Sequence, residues 1–159
     1  MGIKFDVPGR QAYQVKAIVF DLNGTLAVDG NLRPSTRELL SQLVENVCVY
    51  VLTADTHDSA SRVREILGDK VEVQVLQGEN TTEAKRAFIQ KLGPESTVAV
   101  GNGANDAGML EEAVLGLAVL EEEGAAADLL CRADLVLRSI DDALELLLHP
   151  RRIVATLRR

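Results

Sequence analysis

Short apolar runs alternate with longer amphipathic stretches along the chain. The apolar runs fall at about 16–21, 47–52, 71–76, 97–101, 115–119 and 134–138, and most are continuous rather than alternating, as expected of strands buried on both faces. Between and after them, residues at about 35–45, 58–67, 81–92, 105–113, 123–131, 140–148 and 150–158 carry the spacing of helices. Strand–helix alternation at this interval predicts an α/β architecture, a doubly wound parallel sheet between two layers of helices. Ahead of the first run, residues 3–7 and 11–15 are joined across Pro8-Gly9-Arg10 and predict a hairpin that adds antiparallel strands to an edge of the sheet. A second small hairpin is predicted at 24–33, where Val28-Asp29-Gly30-Asn31 signals a tight turn.

Chemistry concentrates where these elements end. The first main run delivers Asp21 to the C-terminal end of its strand, and Asn23-Gly24-Thr25 then turns the chain sharply. Ligands of open α/β sheets bind in the crevice just past the strand ends, so Asp21 stands where a reactive group belongs. The second run, Val49-Tyr50-Val51-Leu52-Thr53, ends on a hydroxyl. Thr81-Thr82-Glu83-Ala84-Lys85 opens a helix with the spacing of a capping box, which sets Lys85 one turn inside it. A fourth run opens into the polar loop Gly101-Asn102-Gly103-Ala104-Asn105-Asp106 ahead of another helix. Taken singly, each has an ordinary explanation: Thr53 as a turn cap, Lys85 as a solvated helical lysine, Asp106 as a first-turn carboxylate. They gain weight only together and in this order.

In that order the segments resemble the haloacid dehalogenase superfamily of aspartyl-phosphate phosphohydrolases over roughly residues 15–120. Asn-Asp-Ala-Gly-Met-Leu after the fourth loop is also similar to the phosphorylation domain of P-type ATPases and its soluble relatives. The resemblance implies a catalytic set of Asp21 as nucleophile, Asn23, Thr53 and Lys85. It implies phosphate contacts from Thr53, Ala54, Lys85 and Asn105, and a Mg2+ site formed by Asp21, Asn23, Asn102 and Asp106. Two positions depart from the family pattern. Asn23 stands where the family carries the general acid/base, and an amide cannot exchange a proton at neutral pH. Asn102 replaces a carboxylate of the metal site by a neutral oxygen, so metal affinity is expected to be weakened rather than abolished.

Spacing bears on access. About thirty residues separate Asp21 from Thr53, and a similar stretch separates Thr53 from Lys85, which leaves no room for an inserted cap domain. The site is therefore expected to be open, or covered only by the 24–33 hairpin or by a neighbouring subunit of a homo-oligomer.

The 159 residues are expected to form one domain over 1–159, and the net charge of −7 disfavours nucleic acid and anionic membrane as partners. The chain shows no long apolar span and no signal peptide, and is expected to be cytoplasmic and soluble. Cys48 and Cys131 share no motif spacing and are expected to be reduced core thiols. Arg151, Arg152, Arg158 and Arg159 are read as complementing a helix C-terminus and as surface charge, rather than as a patch for an anionic partner. Asp55 and His57 follow Thr53 closely enough to approach the mouth of the site, but neither is assigned to the catalytic set, and His149 is read as structural. Two functions fit: a slow Mg2+-dependent phosphatase acting on a phosphorylated substrate, or a binding or regulatory module that keeps the fold with little turnover.

Overall fold

A computed structural model describes residues 1–54 and 57–159, with the side chains of 57–59 outside the description. Six parallel strands form the main sheet: β3 (Ala17–Asp21), β4 (Cys48–Thr53), β5 (Val71–Val75), β6 (Thr97–Gly101), β7 (Leu115–Val119) and β8 (Leu135–Leu137). Their order is β5-β4-β3-β6-β7-β8, so the strand carrying Asp21 is central and flanked by the strands ending at Thr53 and Gly101. Every residue of β3, β6 and β7 is buried, which is why those runs read as continuous rather than alternating.

Side chains alternate between two apolar layers. Ile18, Phe20, Val98, Val100 and Leu117 pack with Leu40 and Leu43 of α1 (Pro34–Leu43), Ala60 and Val63 of α2 (His57–Leu67), and Leu144 and Leu147 of α6 (Ile140–Leu148). Val19, Leu52, Ala99 and Ala118 face the other way, toward Ile89 of α3 (Thr81–Leu92), Met109 and Leu110 of α4 (Ala107–Glu112), and Leu129 of α5 (Ala127–Arg132). The result is the three-layer architecture expected from the sequence. At β7 the layers approach closely: a Cβ on Gly116 would lie 2.6 Å from the carbonyl oxygen of Leu110.

Several expectations are corrected. β1 (Ile3–Asp6) and β2 (Ala12–Val15) do pair antiparallel, but as a separate two-stranded sheet rather than as edge strands. β2 runs into β3 with only Lys16 between them, and β3 is the centre of the main sheet, so the hairpin has no chain with which to reach an edge. It packs instead through Ile3, Tyr13 and Val15 into the core. The 24–33 segment is a tight turn, with Asp29 and Gly30 both at positive φ and reciprocal backbone bonds between Val28 and Asn31, but its arms form only isolated bridges. α4 starts later than predicted, after a 3-10 turn at Ala104–Asp106, and α5 starts at Ala127 rather than at 123.

Cys48 and Cys131 are exposed free thiols, not core residues. Cys48 begins β4, whose first residues alternate outward, and Cys131 lies in the last turn of α5, which buries Leu129. Arg151 and Arg152 lie in the first turn of α7 (Pro150–Leu157), so dipole complementation does not explain them. Among the described residues no helix is long and apolar enough to cross a membrane.

The approach at Gly116 sets a test of the packing. Gly116→Ala forces strand and helix backbones apart and should lower stability by about 1–3 kcal/mol, read from urea unfolding.

Candidate active site

Asp21 ends β3 where the strand order reverses, the position at which open α/β sheets present their ligand crevice. β4 lies beside it, and the strand partner of Asp21 is Leu52, so the buried Thr53 stands one residue further along. α3 crosses from β5 toward β6, with its first turn fixed by the Asn80 side chain, which accepts from the Glu83 amide at 3.1 Å. That start places Lys85 over the crevice.

The ammonium of Lys85 donates to Asp21 Oδ1 and to Asp106 Oδ1, each at 2.7 Å, and the lysine is only 1% exposed. Lysines are almost never buried this deeply unless paired. Asp106 folds back toward the end of β6, where Oδ2 accepts from the amides of Asn102 (3.1 Å) and Gly103 (3.0 Å). A Cβ at Gly101 would come within 2.6 Å of Asp106, so the last residue of β6 must lack one for the carboxylate to reach this place.

The charges are unequal in their surroundings. Asp106 accepts three hydrogen bonds from charged or backbone donors and forms a self-sufficient pair with Lys85. Asp21 is then the surplus carboxylate. Burial, and next the charge of Asp106, push it up to about 7, against the opposing pull of Lys85 and Thr25. Burial also presses the Lys85 ammonium toward its neutral form, but the two carboxylates outweigh it and hold its pKa above the ordinary lysine value. The two upward shifts are consistent, because one lysine can neutralise only one of two carboxylates.

Thr25 is fully buried, with its hydroxyl 3.4 Å from Asp21 Oδ2 and 3.2 Å from Asn102 Oδ1. One proton serves both acceptors, so one of the two oxygens is always left without it. Among the described residues no three His, Cys, Asp or Glu side chains gather to hold a metal. What the crevice offers is hard oxygen: the carboxylates of Asp21 and Asp106 and the amide oxygen of Asn102. This donor set fits Mg2+, which keeps several waters and needs few protein ligands.

The remaining sequence-derived residues are dispersed around this centre. Asn23 is exposed at the entrance to the 24–33 turn, and Ala54 is exposed just past Thr53. Asn105 donates to the Thr81 hydroxyl at 3.3 Å, tying the β6 loop to the start of α3. Asp55 and the side chain of His57 lie outside the described residues. A cavity of about 40 Å³ opens beside Asn23, lined by Leu22, Ala27, Gly30, Arg62, Val63 and Ile66. Two contributors escaped the sequence reading: Thr25, whose position four residues past Asp21 was the available signal, and the loop at 121–126, which carried none.

The chain belongs to the haloacid dehalogenase-like hydrolases: the family's sequence profile matches residues 27–113. It is capless, since among the described residues the stretches joining Asp21, Thr53 and Lys85 hold only the tight turn, α1, β4, α2, β5 and the start of α3. It is also related in sequence to P-type ATPases. It is 32% identical to copper-exporting P-type ATPase B of Archaeoglobus fulgidus over 146 residues, 86% of this chain and 20% of that one. It is 29% identical to a soluble P-type ATPase-like phosphatase of Methanocaldococcus jannaschii over 125 residues, 77% of this chain and 45% of that one. The chain thus spans under half the length of either relative. In fold it is similar to 3-deoxy-D-manno-octulosonate 8-phosphate phosphatase of Moraxella catarrhalis, solved with magnesium, phosphate and sugar, at TM-score 0.65 and 16% identity, covering 89% of this chain and 90% of that one.

The raised pKa of Asp21 carries a sign. A carboxyl that titrates near 7 when folded and near 3.8 when unfolded favours the folded state fully below 3.8, and that contribution is lost as pH rises through 7. Asp21→Asn keeps an acceptor for Lys85 without the surplus charge. Its melting temperature should exceed the parent's by several degrees at pH 8, with the gain shrinking as pH falls toward 4. A gain that is constant with pH would show that Asp21 is not the surplus charge.

Proposed function

We propose that this hydrolase is a Mg2+-dependent phosphatase that works through a phosphorylated Asp21 and turns over slowly. The observation that supports it most is the single buried ammonium held 2.7 Å from both Asp21 and Asp106. It keeps a carboxylate at the end of the central strand beside a cation that can also meet a phosphate oxygen. The names of the soluble phosphatase relative and the sugar-phosphate phosphatase neighbour point to the same reaction class.

In this reading an Asp21 oxygen attacks phosphorus, the bond to the leaving oxygen breaks, and the alkoxide or phenoxide departs with the bonding pair and takes its proton from solvent water. Thr53 and the chain at Ala54 take phosphate oxygens at the end of β4, Lys85 neutralises phosphate charge, and Asn105 borders the phosphate from the β6 loop. Water then attacks the aspartyl phosphate, releasing inorganic phosphate and restoring the carboxylate. Asp21 and Asp106 supply the anionic charge for Mg2+, with Asn23 and Asn102 offering neutral oxygens. When bound, the ion would neutralise phosphate charge and favour the ionised form of Asp21. Asn23 stands where a proton must leave water and reach the leaving oxygen, and its amide can do neither. Substrates with good leaving groups, such as aryl and acyl phosphates, are therefore the best suited.

The test is hydrolysis of an aryl phosphate with Mg2+. Asn23→Asp should raise turnover by about ten-fold or more, because positioned acid–base help is commonly worth 10²–10⁴-fold. Asp21→Asn should abolish turnover. Activity that survives Asp21→Asn overturns the nucleophile assignment. Inertness of both wild type and Asn23→Asp across aryl, acyl and sugar phosphates makes a binding or regulatory module the better reading.

A further inference from the structure

Three consecutive glutamates follow β7, and their side chains go to different places. Glu121 is buried, accepts from the Ile140 amide at 2.6 Å at the start of α6, and pairs with Arg33 at 2.7 Å. Glu122 is exposed and reaches the same arginine at 3.6 Å. Glu123 forms no ion pair among the described residues. It turns instead toward the Asn23-Gly24 corner. A Cβ on Gly24 would lie 2.6 Å from Glu123 Oε2 and 2.6 Å from Asn102 Nδ2, so carboxylate and amide flank one point beside the residue that follows Asn23. Gly24 also has φ +81°, a conformation that side chains rarely adopt.

What holds Glu123 there is Asn102. Its Nδ2 donates to the Gly124 carbonyl at 3.1 Å, its own carbonyl accepts from the Ala126 amide at 2.9 Å, and its Oδ1 accepts from Thr25 at 3.2 Å. The amide thus joins three segments: the β6 loop, the 121–126 loop and the turn after Asp21. An aspartate could accept from Thr25 but has no proton for Gly124, and would set a carboxylate oxygen against that carbonyl.

We propose that Asn102 and Glu123 act as one unit, in which the Asn102 amide latches the 121–126 loop and Glu123 thereby adds a negative charge, outside the ligand set itself, that draws a divalent cation to the mouth of the Asp21 site. This rests on the Mg2+ site of the preceding reading. Asn102 is a positioning residue as well as an oxygen donor, and its neutrality is a condition of the loop's place. The negative charge enters from a different loop, on an exposed side chain.

The test is calorimetric titration of the full chain with Mg2+ at neutral pH and low salt. Glu123→Gln should weaken binding by about three- to ten-fold, while Glu122→Gln, which removes the same charge one residue away, should change it by less than about two-fold. In parallel, Asn102→Asp should speed hydrogen exchange of the Ala126 amide, because the latch is cut. Unchanged binding in Glu123→Gln, or equal weakening by both glutamines, overturns the role of Glu123 while leaving the phosphatase reading intact. Unchanged exchange at Ala126 overturns the latch. No Mg2+ binding by the wild type removes the metal site and this inference with it.

Discussion

A lysine ammonium buried between two carboxylates is the constraint on which the rest of this structure depends. Taking three charges out of water costs several kcal/mol per ion unless each is matched, so Lys85, Asp21 and Asp106 can be buried only together. That requirement dictates the start of α3, which must bring Lys85 over the crevice, and the glycine at the end of β6, which must let Asp106 fold back. It also leaves one negative charge in excess. The surplus falls on Asp21, whose carboxyl burial and Asp106 raise to about 7. A stable core does not need such an arrangement, since buried ion pairs are weak contributors to stability.

The surroundings tie this centre to its neighbouring loops. Arg33, at the foot of the tight turn, is tied to Glu121, which in turn caps α6, while Thr25 and Asn102 join the same turn to the loops after β6 and β7. Two loops that flank the mouth are therefore fixed to each other and to the helical layer. No cap closes over them among the described residues. Beside the mouth lie Asn23 and the small cavity that it helps to line.

Much of this was legible in the sequence. Strands buried on both faces leave continuous apolar runs, and those runs located all six parallel strands to within a residue or two at each end. Asp21, Thr53, Lys85 and Asp106 were legible because each lies at the end of an element whose type was clear, and their order carried the family resemblance. Lys85 alone would have passed for a solvated lysine; only its partners show why it is buried. What escaped depended on contacts distant in sequence. The hairpin looked like an edge strand because its position relative to β3 is a matter of topology. Cys48 looked buried because its neighbours in sequence are apolar, although it faces out at the start of β4. Asn102 looked like a simple loss of charge, and its bond to Gly124 lies 22 residues away. Local pattern reports which face a residue prefers, not which loop will meet it.

The central claim is that Asp21 carries the phosphoryl group and that its breakdown is slow for want of a proton acceptor at Asn23. It is tested most directly by mass spectrometry of the protein quenched in acid during reaction with an acyl phosphate and Mg2+. The account predicts one added phosphoryl group, mapped to the peptide containing Asp21, present on a substantial share of the molecules and decaying over a time comparable with turnover. Turnover of substrate with no phosphoryl group on the protein, or with the group mapped to another residue, would contradict it.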